Sequence, residues 1–263
     1  MITLWQFRAS PYNEKVRWAL DLKRVTHRRR SFLPGLHVGA IKSRTGQTAT
    51  PILQLNGKWL SGSAAIVAAL EERFPDPPLF PKDAAMRAAV LEIEKRFDDD
   101  FGPRMRRATF GQLLQAPSYL ARVFAAGRSA LVQAAYGAII PLASSAIRRG
   151  NGIEGPESIA DGERAIDEAF AFISGHIERA PYLVGDRFSL ADLTAAAFVA
   201  MVCDFVGTPM EKPKPIPASI AAWTSRWGAK PAAVWARNIY TQHRVLTHDF
   251  DGASPVPAKP RRR

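Results

Sequence analysis

A single cysteine, Cys203, in 263 residues excludes an internal disulfide. It sits inside the apolar run Phe198 to Val206, where burial as a small apolar side chain is its expected state. A chain without disulfides fits a reducing compartment. The first residues, Met1 to Arg8, lack a basic start followed by a long apolar stretch, so no secretory leader is expected. Zinc-finger spacing, an RNA-binding signature and an aromatic-basic repeat are all missing. Acid is in deficit: 24 Asp and Glu face 36 Lys and Arg, for a net charge of +12. Four of those positive charges lie in residues 252–263, which hold no acid, so the rest of the chain carries +8. Such a surface favours anionic ligands and permits weak contact with nucleic acid or membranes; a generally basic surface is the plainer account. Charge is lacking altogether from Ser129 to Ile147, nearly the length of a membrane span. That stretch holds Gln133, Gly137, Pro141 and three serines and is rich in alanine. It reads as the central buried helix of a helical domain, with peripheral membrane contact as the lesser alternative.

With 47% hydrophobic residues, the chain can build two packed units. Ile2 to Phe7 alternates apolar and polar residues and reads as a strand. Ser10-Pro11-Tyr12-Asn13-Glu14-Lys15-Val16-Arg17 then opens a helix, with Val16, Ala19 and Leu20 on one face. Ser10 has the chemistry of an N-cap, and Pro11 suits the first helical position. A hydroxyl at the positive end of a helix binds anions and stabilises thiolates. It also simply caps, and these eight residues leave both roles open.

Val25 to Phe32 reads as a second strand. Its Arg28, Arg29 and Arg30 point to alternate faces and form no stripe, as suits a guarded sheet edge. Pro34 to Ala49 is a polar loop. Thr50-Pro51 opens a third strand, and Asn56-Gly57 turns it into Lys58-Trp59-Leu60 as a hairpin. Ala64 to Phe74 is a helix with Ile66, Leu70 and Phe74 on its buried face, and Ser63 stands at its start, where amides and a hydroxyl can hold a carboxylate.

Pro75 to Pro81 is a rigid linker, and no strand-like segment comes after it. Met86, Val90, Ile93, Phe97 and Phe101 stripe a helix. On a helix, Asp98, Asp99 and Asp100 fan out over about 200°, which makes a solvated acidic face and no metal site. Gly102-Pro103 is expected to break or kink that helix. Ile159, Ile166, Phe170, Ile173 and Ile177 stripe another. Ser189 and Asp192 have capping-box spacing ahead of Leu190, Leu193, Ala197 and Met201. Residues 207–217 form a proline-rich loop, Trp223, Trp227 and Trp235 lie in the last helices, and 251–263 reads as a disordered basic tail.

The segment Ser10 to Arg17 resembles the start of the first helix in glutathione transferases of the thioredoxin-fold superfamily. The run Leu183-Val184-Gly185-Asp186-Arg187-Phe188-Ser189-Leu190-Ala191-Asp192 resembles the start of their core helix, where Asp192 has a structural role. The resemblance implies an α/β plus all-α chain: a thioredoxin-like domain over 1–76, a linker over 77–82, an all-helical domain over 83–250, and the tail. It implies a soluble, serine- or cysteine-type enzyme that activates the thiol of glutathione, its co-substrate, for attack on a small hydrophobic electrophile. A non-catalytic binding or scaffold protein on the same fold is the alternative. Ser10 would donate to the sulfur. Thr50, before a cis Pro51, would offer its backbone to the peptide-like middle of glutathione, and Ser63 would bind the γ-glutamyl carboxylate. Tyr12, Arg107 and Phe110 are assigned to the second substrate. Asn13 stands where a redox-active relative has a second cysteine, which excludes dithiol chemistry. Gly62 stands where an acid or Gln usually helps to hold the ligand's α-amino group. A cytoplasmic homodimer is implied, with no transmembrane segment and no specific nucleic acid.

Overall fold

The computed structural model describes residues 1–244 and the backbone of 252–253. Five strands, β1 (Thr3–Gln6), β2 (Arg28–Ser31), β3 (Ile52–Leu55), β4 (Lys58–Ser61) and β5 (Gly252–Ala253), form one sheet in the order β4-β3-β1-β2-β5. β1 is parallel to β2 and antiparallel to β3, and β3 and β4 make the hairpin. At its tip Asn56 and Gly57 have φ of 50° and 82°, the left-handed pair that a two-residue hairpin turn demands.

β2 alternates as its sequence implies. Arg29 is buried against Asp21, while Arg28 and Arg30 are exposed, and Arg30 lies 4.7 Å above the Trp5 ring. Its expected place at the sheet edge is revised, because β5 pairs antiparallel with Arg28 and Arg29. This pairing also corrects the expectation that no strand comes after the linker: an unpaired strand edge accepts any extended segment that reaches it. The remainder of the expected tail lies outside the described residues.

Helix α1 (Pro11–Leu22) follows β1, and α3 (Ser63–Arg73) follows β4. Between β2 and β3 stands a helix, α2 (Val38–Thr45), where the sequence reads as loop. It has no side-chain N-cap and buries only Ile41, so neither of the usual signals is present. The linker is fastened by Glu71, which accepts from the amide of Leu79 at 3.1 Å, and by Lys23, which donates to the carbonyls of Phe74 and Pro77.

Beyond the linker, the elements among the described residues up to 244 are all helices joined by loops. α4 (Ala84–Arg96) continues through a π-helical turn, Phe97–Phe101, into α5 (Gly102–Leu113). Pro103 falls in the first turn of α5, where its missing N–H is tolerated, so the expected break is instead a change of helical pitch. The aspartates are not one solvated face. Asp98 is largely buried against Lys15, whereas Asp99 pairs with Lys95 and Asp100 with Arg104. Two further helices, α6 (Pro117–Ala125) and α7 (Ala130–Gly150), lead to α8 (Pro156–Ile177), α9 (Leu190–Val202), α10 (Ala218–Gly228) and α11 (Pro231–His243).

The helix at the centre is α9, in which every residue is buried. Both oxygens of Asp192 are bound at its start: Oδ1 accepts from the Leu183 amide and Oδ2 from the Ser189 amide, each at 2.8 Å. The expectation that the uncharged Ser129–Ile147 stretch is central and buried is corrected. α7 buries only Tyr136 and Ile140, and leaves Leu131 and Leu142 80% and 87% exposed. Its inner side packs on α6 and borders a cavity, and its outer side faces solvent. It is long and apolar enough to cross a membrane by length and composition alone.

The sheet half and the helical half share one core. Tyr12 meets Phe198 edge-on at 5.0 Å, and Trp18 packs on Tyr240 at 4.5 Å. Arg244, just beyond α11, donates to Glu14 and Asp21 on α1 at 2.7 and 2.8 Å, all three side chains being buried.

Candidate active site

Ser10 is the N-cap of α1, in extended conformation with φ of −144°. Its Oγ is 3.5 Å from the amide nitrogen of Asn13, and its carbonyl accepts from the Glu14 amide at 2.9 Å. The loop that delivers Ser10 is clamped from beneath by Arg17. This buried guanidinium donates to the carbonyls of Phe7 and Arg8 at 3.0 and 2.9 Å, and to Gln6 Oε1 at 3.0 Å. Glu14 holds Arg17 in turn at 2.6 Å. The motif residues Glu14 and Arg17 are thus the support on which the Ser10 backbone rests.

Asn13 is fully buried, and its Nδ2 donates to Thr50 Oγ1 at 3.1 Å. The Thr50-Pro51 bond is cis. One residue therefore touches both Ser10, through its backbone, and Thr50, through its amide. Sequence reasoning sees in Asn13 only a missing sulfur.

Ser10, Tyr12 and Thr50 border a cavity of about 880 Å3, large enough for a drug-sized molecule. Opposite them stand Arg106 and Phe110 of α5, and Phe124, Tyr136 and Ile140 of α6 and α7. The loop from Thr208 to Lys214 closes a further side. Of the site residues expected from sequence, Ser10, Tyr12, Thr50 and Phe110 come together here; Pro51, Ser63 and Arg107 do not line the cavity.

Tyr12 is a wall rather than a free donor. Its hydroxyl donates to the carbonyl of Asp98 at 2.9 Å, and burial, with the Asp98 charge second, holds its pKa well above the ordinary value. Ser63 is the first residue of α3, after Gly62 at φ 86°, and is 5% exposed. Its hydroxyl faces the Asp98 carboxyl, an internal carboxylate at the helix start where a ligand's was expected. Burial raises the Asp98 pKa, and Lys15, at 2.7 Å, opposes the shift. Asp98 Oδ1 is buried without a hydrogen-bond partner.

The assignment of Arg107 to the second substrate is revised. Its guanidinium turns to α8 and pairs with Asp161 at 3.3 Å. Its neighbour Arg106 faces the cavity, about 100° round the helix. Arg106 is legible in the sequence only as part of a basic cluster, because a helix face is decided by phase and the π turn shifts the phase. Cys203 is 1% exposed, and burial pushes its thiol up to about 11, so it is no nucleophile.

The sheet with a cis proline opening β3, the capped helix after β1, and the helical half built around α9 together define a thioredoxin-like domain joined to an all-helical one. The family model described as "Glutathione S-transferase, N-terminal domain" matches residues 4–78, and the one described as "Glutathione S-transferase, C-terminal domain" matches residues 126–231. The chain belongs to the glutathione S-transferase superfamily. Among solved structures it is similar to a glutathione S-transferase from Rhodospirillum rubrum, with 23% identity, TM-score 0.59, and 89% of this chain and 90% of that one covered. It is similar to the beta-etherase LigF from Sphingobium sp. strain SYK-6, with 20% identity, TM-score 0.59, and 90% and 98% covered. A theta class enzyme from Xanthomonas axonopodis pv. citri, solved with glutathione bound, has 21% identity, TM-score 0.53, and 93% and 97% covered. No curated protein matches the chain.

Proposed function

We propose that this protein is a glutathione-dependent transferase in which Ser10 donates a hydrogen bond to the sulfur of glutathione. The observation that carries the reading is the position of Ser10: a hydroxyl at the N-terminus of α1, beside Thr50, opening on the 880 Å3 cavity. A free thiol of pKa about 8.5 is only about 3% ionised at pH 7. A hydroxyl donor and the positive end of a helix both favour the thiolate and raise that fraction. The thiolate then attacks an electrophilic carbon held against the apolar side of the cavity; a carbon–sulfur bond forms and the leaving group departs with its electron pair. Thr50 supplies backbone hydrogen bonds to the cysteinyl part of glutathione, with Pro51 fixing the turn. Conjugation and ether cleavage both fit this scheme. A cytoplasmic homodimer is the expected working form, as the family resemblance implies, and sedimentation at micromolar concentration tests it against a 28.9 kDa monomer.

The arrangement at Ser63 supports a second reading. With Gly62 lacking a side chain and Ser63 turned to Asp98, the place for the γ-glutamyl end already holds a carboxylate of the protein's own. A binding or scaffold protein on this fold would look the same. Calorimetric titration of glutathione into the purified protein, followed by turnover with a reactive electrophile, decides between them. Binding with turnover supports the transferase; binding without it supports the alternative.

A further inference from the structure

We propose that the outer face of α7 docks this protein on an anionic lipid bilayer, the helix lying flat in the headgroup layer with its leucines among the acyl chains and its arginines on lipid phosphates. This goes beyond the transferase reading and uses no residue of the Ser10 site.

The exposed apolar surface is gathered on one side of the molecule. Of eleven large hydrophobic side chains exposed among the described residues, four are on α7: Leu131, Val132, Ile139 and Leu142. Leu36 and Val38 are two more, and they border the same cavity as Ile139. The hydroxyl of Tyr136 donates to the Pro34 carbonyl at 3.0 Å, which ties their segment to α7. Along α7, Leu131, Ala135, Ala138 and Leu142 follow one another at spacings of four, three and four, so they form one stripe, and all four are exposed. Single exposed apolar side chains are ordinary, whereas a continuous patch marks a contact surface.

The charge around the patch selects its occupant. Residues 101–153 and residues 22–70 contain no Asp or Glu, and they hold seven and eight Lys and Arg respectively. The two segments meet where Arg128 donates to the Ser31 carbonyl and where Tyr136 reaches Pro34. Arg149 stands seven residues after Leu142 and continues the stripe; it and Arg148 are exposed, and neither makes an ion pair among the described residues. An anionic bilayer suits both kinds of side chain, with hydrocarbon for the leucines and phosphates for the arginines at the end of the helix. Nucleic acid offers phosphates but no hydrocarbon. A second copy of this chain offers the reverse: α7 laid antiparallel on its equivalent about Ala138 sets Arg128 against Arg149, like charge on like. The helix lies on the bilayer and does not cross it, because the protein holds its inner side. Tyr136 and Ile140 are buried there with Tyr119, Leu120 and Phe124 of α6.

The test is co-flotation of the full chain with vesicles at about 0.15 M salt. One set is pure phosphatidylcholine, and the other contains about a third phosphatidylglycerol. The wild type is expected to bind the mixed vesicles at least about tenfold more tightly than the neutral ones. Three double variants are compared: Leu131→Gln with Leu142→Gln, Arg148→Gln with Arg149→Gln, and, as a charge-matched control outside α7, Arg179→Gln with Arg187→Gln. All six side chains are exposed, so the fold is retained. The leucine pair and the α7 arginine pair are each expected to weaken binding to the mixed vesicles by about tenfold or more, and the control pair to leave it within about twofold. If the leucine pair binds as the wild type does, the basic surface acts by charge alone and the proposal fails. It fails equally if the wild type binds duplex DNA but no vesicles, or if the leucine pair splits a dimer in sedimentation and has no effect on vesicles. Glutathione enters none of these measurements. Failure here leaves the transferase reading as it stands, and a failure to bind glutathione leaves this one.

Discussion

Asn13 Nδ2 donates to Thr50 Oγ1 at 3.1 Å, and through this bond the loop before α1 is tied to the loop before β3. The same residue presents its backbone amide to Ser10 Oγ. The two loops that face the cavity from the sheet half are therefore held in register by one buried side chain.

Replacement of Asn13 by Ala removes the tie and leaves Thr50 Oγ1 without this partner. The expected cost is about 1–3 kcal/mol in urea unfolding, together with weaker binding of glutathione. Asn13→Asp keeps the size but loses the donor and buries a charge, and is expected to be at least as destabilising. A variant as stable as the wild type would show that the bond contributes nothing.

The buried ion network is a second point of dependence. Arg244 meets Glu14 and Asp21 directly, and removing a single partner of such a set strands the others. Arg244→Met is expected to cost about 3–5 kcal/mol. Desolvation alone would raise the pKa of Glu14 and Asp21, but the arginines outweigh it and hold both below their ordinary values. Their folded pKa values are depressed, so the stability they contribute is present above the unfolded pKa near 4. It is lost as pH falls from there through the folded values. The measurement is the difference in urea midpoint between wild type and Arg244→Met, which should shrink on acidification below about pH 4.

Asp192 titrates in the opposite sense. Burial lifts its pKa to about 6, in spite of the amides and hydroxyl that bind it. A raised folded pKa means that its contribution is full below the unfolded value near 4 and is lost as pH rises through about 6. Asp192→Asn, which cannot titrate, should flatten this part of the stability curve between pH 4 and 7. An unchanged curve would show that Asp192 is ionised throughout.

Cys203 offers a simple check on the core. Its thiol is buried beside α9 with its pKa raised to about 11. It should fail to react with Ellman's reagent in the native protein at pH 8 and react fully in denaturant. Rapid native labelling would contradict the packing described for this segment.

The features legible in the sequence are those decided by neighbours along the chain. Ser10 and Pro11 start α1, Asn56-Gly57 turns the hairpin, and Ser189 with Asp192 starts α9, because each needs only local donors and acceptors. The features missed are decided by groups from elsewhere in the fold. Nothing local says that Asp98 turns inward to Lys15, 83 residues away, while Asp99 faces solvent. The π turn at Phe97–Phe101 adds a residue to one helical turn and rotates α5 by about 100°, so Arg106 and Arg107 cannot be told apart by counting from the upstream stripe. The sequence misplaces α7 because an apolar composition is the same whether a helix is packed on every side or meets a neighbour on one side and solvent on the other.

The most direct test of the account is the pKa of glutathione's thiol when bound, followed by the ultraviolet absorbance of the thiolate, in the wild type and in Ser10→Ala. The account predicts a bound thiol pKa below that of free glutathione in the wild type. It predicts a return toward the free value in Ser10→Ala, with turnover of a reactive electrophile falling in proportion and glutathione affinity little changed. If Ser10→Ala lowers only the melting temperature, by an amount matching a lost N-cap of about 1 kcal/mol, and leaves thiolate and turnover as they were, Ser10 is a cap alone and the central claim is wrong.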